Sequence, residues 1–115
     1  MSNLQEVDKE AAAVAMAPRV SLADIEGAIE ARYDFIAGDA IRTFATRYEP
    51  RPSLDVLSIC ILAMKNGFNV IGKSAPASLE NFNAELGRKL AYEDCIRQFW
   101  PLMGYALREK LATAA

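Results

Sequence analysis

A chain of 115 residues is sized for one domain with a modest core. Its make-up, 52% hydrophobic and 24% charged, excludes a fibrous or wholly disordered polypeptide. Thirteen Lys plus Arg against fifteen Asp plus Glu leave a net charge of −2, so no global field draws the chain onto nucleic acid, and histidine is absent altogether.

The first residues, ending in Glu10 to Ala17, are Ala-rich, and Pro18 closes them off. They read as a frayed helix or a disordered tail, so the expected division is a flexible tail over 1–18 and a single α+β domain over 19–115. Ser21 is a good N-cap, with Asp24 and Glu26 favourably near the positive end of a helix dipole. Leu22, Ile25, Ile29, Tyr33 and Ile36 recur at spacings of three and four, which predicts one helix as far as Gly38. A second short helix is expected over Ala40 to Tyr48, ended by Pro50 and Pro52.

Val56 to Met64 and Phe68 to Lys73 flank Lys65-Asn66-Gly67, the pattern of a β-hairpin with an Asn-Gly type I′ turn. That turn pairs Lys65 with Phe68 and Leu62 with Ile71. It puts Leu57, Ile59, Ile61, Ala63, Phe68 and Val70 on one face, with Ser58, Cys60, Leu62, Met64 and Ile71 on the other. Both faces are largely apolar, and a lone hairpin is marginal in water, so cover on both sides or a further chain is expected. Ser78 is the expected cap of a long helix that Pro101 kinks or breaks. An apolar stripe from Phe82 through Leu90, Ile96, Phe99, Trp100 and Met103 to Leu111 is expected to pack on the hairpin. A seam of small residues, Ala84, Gly87, Ala91 and Cys95, falls on the opposite side, open to another helix.

Function has to be read from few groups. Without histidine the chain lacks the side chain best suited to acid–base work near neutrality, and no cofactor or metal is expected. Cys60 and Cys95 sit in apolar settings and read as reduced, buried thiols. Lys89 and Glu93 fall inside the apolar stripe, which reads either as a charged pair lining a cleft or subunit contact, or as stems covering core edges with heads in water. Trp100 beside Pro101 is either a binding hot spot or a core residue sealing one end of the hairpin. Arg88, Lys89 and Tyr92 are the groups that would line a small-molecule pocket between subunits. Arg42, Arg47 and Arg51 around Tyr48 are either a phosphate-contacting set or a solvated connector; Asp39 and Glu49 weaken the former. The binding candidates are therefore Arg88, Lys89, Tyr92, Glu93 and Trp100, with no catalytic set.

Leu62 to Gly72, Ser78 to Ala91 and Trp100-Pro-Leu-Met-Gly-Tyr105, in that order, resemble the phage N-four/Sf-six small-protein family, over roughly Ser21 to Leu111. Pro76 and the Ala-rich head depart from the pattern. The resemblance implies a phage or prophage protein acting in the cytoplasm of a bacterial host, and it transfers no catalytic residue. With the missing catalytic chemistry it points to a non-enzymatic accessory protein that binds and modulates a host component, such as an antiviral defence system. A small-molecule or nucleotide sequestering protein and a nucleic-acid-associated replication factor are the alternatives, the latter disfavoured by the acidic balance. A homo-oligomer with a host protein as partner is expected, with no membrane span, since the longest apolar run is Ile59 to Met64.

Overall fold

A computed structural model describes residues 3–44 and 47–114. Helix α1 covers Leu4–Val14 and α2 Leu22–Gly27, followed by strand β1 (Ile29–Ile36), α3 (Ala37–Phe44), a 3₁₀ turn (Pro52–Val56), β2 (Ser58–Met64), β3 (Asn69–Ser74) and the long α4 (Ala84–Thr113). The strands form one antiparallel sheet in the order β1-β2-β3, and α4 lies across one of its faces. This is the expected α+β architecture, with one strand more than the hairpin alone. Among the described residues no helix is long and apolar enough to cross a membrane.

The extra strand is where helical periodicity misleads. Ser21 does cap α2: its Oγ accepts from the Asp24 amide at 3.1 Å, and the Asp24 carboxylate accepts from the Ser21 amide at 2.9 Å. The helix nevertheless stops at Gly27, and the Ile29 to Ile36 stretch, rich in branched and aromatic residues, pairs with β2 from Ile29 opposite Met64 to Ile36 opposite Ser58. A bulge at Glu30 lets Ile29 join the core while Ala31, Tyr33 and Phe35 point to the other face. The second short helix spans only Ala37–Phe44; Ala45 and Thr46, also within the expected range, lie outside the described residues.

The hairpin turn also differs from expectation. Met64 donates to the Phe68 carbonyl and accepts from the Gly67 amide, both at 2.8 Å, so the loop has three residues. Only Gly67 has positive φ, at 90°, as in a type I turn closed by a glycine bulge, and the Asn66 side chain accepts from the Phe68 amide. One extra loop residue slides β3 by one position and exchanges its faces. Leu62 therefore opposes Val70 and Ile61 opposes Ile71.

Ser58, Cys60, Leu62, Met64, Val70 and Gly72 form the inner face, and Leu22, Ile25, Ala91, Cys95, Ile96 and Phe99 close over it. The small-residue seam of α4 is thus the line that meets the sheet, not a free surface. A Cβ on Gly72 would strike the Ala91 carbonyl and come within 2.7 Å of Cys95 Sγ, and one on Gly87 would strike Ser58 Oγ. The reason is distance: small residues on α4 over a glycine in β3 let helix and sheet approach closely, while Leu86 and Leu111 stay exposed. Asn83, not Ser78, caps α4, accepting from the Leu86 amide at 3.0 Å, because a 3₁₀ turn at Leu79–Asn81 intervenes. The helix runs on through Pro101.

The N-terminal segment is fastened at three points. Asp8 accepts from Arg19 at 2.8 Å and from the Leu22 amide at 3.1 Å, and the Arg19 hydrogen bond holds its carboxyl below the usual range. The Trp100 indole donates to the Val20 carbonyl at 3.1 Å, and Leu4 packs against the core.

Candidate functional site

A cleft of about 320 Å³ opens where α1, α2, β1 and α4 meet, lined by Leu4, Gln5, Leu22, Glu26, Arg32, Lys89, Tyr92 and Glu93. Alternation along β1 turns Arg32 and Asp34 toward the α4 side. The Arg32 guanidinium is held by Asp34 at 2.8 Å, reaches the Arg88 carbonyl at 3.4 Å and lies 4.3 Å from the Tyr92 ring centroid. Partial burial pulls this guanidinium down, but the Asp34 carboxylate outweighs that and holds it above its ordinary value. Burial pushes the Tyr92 hydroxyl up to about 12, with help from Glu26, which it meets at 3.4 Å.

Glu93 is the unusual member. Its side chain is 8% exposed, yet Oε1 has no hydrogen-bond partner among the described residues. Its nearest cation is Arg97, one turn on, at 3.7 Å and more than half exposed. A buried carboxylate oxygen without a donor is costly, and such a group is satisfied when a ligand brings an N–H or O–H to it. Lys89, ion-paired loosely with Glu85 at 4.0 Å, stands at the mouth with its head in solvent.

The chain from residue 20 to residue 111 matches the family described as Phage protein (N4 Gp49/phage Sf6 gene 66) family. The chain belongs to this phage protein family. No curated protein and no solved structure matches it.

Of the sequence candidates, the structure brings Lys89, Tyr92 and Glu93 to one cleft, which lies within a single chain. Arg88 contributes only its carbonyl and points its side chain to solvent. Trp100 is half-buried and fastens the segment at Val20. Arg32 and Glu26 were missed. The continuous helix drawn through residues 22–36 hid the alternation that puts Arg32 beside Tyr92, and only Gly27 signalled the change of period.

Ser58 Oγ, on the inner face of β2 beneath Gly87, is likewise buried without a hydrogen-bond partner among the described residues. Arg42 is held by Asp55 at 2.7 and 3.0 Å and by Glu49 at 2.8 Å, which keeps the Asp55 carboxyl below its usual range and ties α3 to the 3₁₀ turn. Burial pushes the Cys60 thiol up to about 12 and raises that of Cys95, whose Sγ donates to the Cys60 carbonyl at 3.3 Å. Both thiols stay protonated and unreactive at neutral pH. A larger groove of about 450 Å³, between the hairpin tip and the Phe99 to Ala106 stretch of α4, is walled by Met64, Phe68, Phe99, Leu102 and Met103 and carries polar groups only at Lys65 and Asn66.

Proposed function

We propose that this phage protein is a non-enzymatic accessory factor that binds a host component in the cleft beside Glu93, and so modulates it, rather than transforming it. The observation that carries the reading is the buried Oε1 of Glu93, which has no hydrogen-bond donor and only the Arg97 guanidinium at 3.7 Å, set in a wall that also presents Arg32, Lys89 and Tyr92. The complementary group has an N–H or O–H donor for Glu93 and an acidic portion for the two cations. The neighbouring groups fit holding a ligand: the Cys60 thiol is kept protonated, and Asp34 fixes the Arg32 guanidinium in the wall. For a phage, a host component worth holding is one that acts against infection, so an antiviral defence component is the proposed target, a host polypeptide presenting such a group.

The second reading, a sequestering protein for a small molecule or nucleotide, is favoured by the cleft's size. About 320 Å³ falls at the low end of small-ligand sites. One experiment separates the two. The protein is taken gently from a bacterial host and denatured, and the released material is examined by mass and by absorption near 260 nm. A host polypeptide supports the first reading, and a compound of a few hundred daltons supports the second. Either should be lost at least tenfold in Glu93→Gln and in Lys89→Glu, because charge-assisted hydrogen bonds are worth about 1.5–3 kcal/mol. Binding that both variants retain in full would remove the cleft from the account.

A further inference from the structure

Among the described residues, no element covers the outer face of the sheet. Residues paired across the strands form three rows on it: Phe35, Ile59 and Lys73; Tyr33, Ile61 and Ile71; Ala31, Ala63 and Asn69. Tyr33 is 58% and Ile71 61% exposed, and Phe35 is exposed as well. No acidic side chain lies in these rows, and the single charge, Lys73, sits at a corner.

We infer that this face is covered by a second copy of the same chain, packed sheet on sheet, with each strand antiparallel to its own counterpart. This inference is independent of the cleft, which lies on the α4 side. Three observations select a second copy. The first is area: the chain exposes 8186 Å², roughly 2,000 Å² above the area typical of a compact monomer of its mass. The radius of gyration, 17.3 Å, likewise exceeds the about 13 Å of a compact domain of this length. The free end of α4 contributes to that excess, as does the outer sheet face where Tyr33 and Ile71 stand open, and a standard interface removes about 800 Å² per partner.

The second is relief. A two-fold axis running along the middle row lays the bulky row of one copy over the alanine row of the other, Phe35 above Ala31 and Ile59 above Ala63. Large over small is how facing sheets interdigitate at about 10 Å separation. The same operation sets Lys73 over Asn69, so the cation never meets itself. The third is the edge. The Lys73 amide donates to Asp94 at 3.0 Å and the Ile71 carbonyl accepts from Gln98 at 2.7 Å, so α4 side chains close β3 against strand addition and leave its face available.

The test is sedimentation equilibrium on the full chain, with Ile71→Glu and Tyr33→Glu as variants at exposed positions and circular dichroism to confirm folding. The wild type should be a dimer or an even-numbered assembly at tens of micromolar. Each variant should weaken association at least tenfold without loss of secondary structure. Because the middle row meets its own copy, an equimolar mixture of Ile71→Glu and Ile71→Lys should associate where neither does alone. A monomeric wild type overturns the proposal, as does an assembly that both variants leave intact, a mixture that stays monomeric, or a one-to-one complex with a host polypeptide that these variants release.

Discussion

The two faces of the sheet are built from similar residues and have opposite fates. On the inner face Cys60 and Leu62 are fully buried beneath Ala91, Cys95 and Ile96, and Gly72 leaves no space even for a methyl group. On the outer face Tyr33, Ile61 and Ile71 are just as apolar, yet among the described residues nothing packs over them and Tyr33 and Ile71 stand more than half exposed. Hydrophobicity alone does not decide which face becomes core. What decides it here is the line of small residues on α4, which lets one helix approach one face closely, while no described element lies over the other.

That contrast can be broken from either side. The largest effect is expected for Ile96→Ala, which empties a fully buried site and should cost about 3 kcal/mol in denaturant unfolding. Gly72→Ala follows at about 2 kcal/mol, since its methyl group meets backbone and sulfur of α4 rather than a side chain that can swing away. Gly67→Ala at the positive-φ loop position should cost about 1 kcal/mol and leave the sheet faces as they are. Ile71→Thr should change the stability of the isolated chain, measured at submicromolar concentration, by less than about 0.5 kcal/mol. A loss from Ile71→Thr as large as that from Ile96→Ala would show that the outer face is packed within the chain.

A smaller effect concerns the N-terminal segment. Asp8 titrates below its ordinary value of 3.8, so the stabilisation it lends is complete above that pH and disappears as the pH falls through the lower, folded-state value. Trp100, the one tryptophan, docks on Val20 next to Arg19 and reports on this contact. Its emission should be constant from pH 8 to 5 and change below about 4, with the acid step reduced in Asp8→Asn. An unchanged acid step in Asp8→Asn would remove the Asp8 clasp from the account.

The α+β class, the α2 cap at Ser21, the hairpin and the helix over its inner face were legible because each rests on a local signal: a capping residue, an Asn-Gly turn, a long periodic run. Three things were not, for physical reasons. Residues 29–36 satisfy both a helical spacing and a strand alternation, and only pairing with β2 selects the second. The loop at Lys65 to Gly67 admits a two-residue or a three-residue turn from the same dipeptide, and that single residue reverses which side of β3 is buried. The seam of Gly87, Ala91 and Cys95 looked like a surface for another helix because the hydrophobic stripe ranks residues by size, whereas the seam meets the sheet together with Ile96 and Phe99 of the stripe. At the cleft, Lys89 and Glu93 were visible as charges in an apolar stripe and Tyr92 as their neighbour. Arg32 and Glu26 were not, since they reach the cleft from α2 and β1 through tertiary packing.

We propose that this phage protein is a binding module with two surfaces, a sheet face for its own copy and a cleft for a host component. Native mass spectrometry of the full chain, released gently from bacterial cells, addresses both at once. The predicted spectrum shows an even number of chains carrying additional mass, either a compound of a few hundred daltons per cleft or a host polypeptide, with the additional mass absent from Glu93→Gln. A single bare chain at micromolar concentration would contradict it.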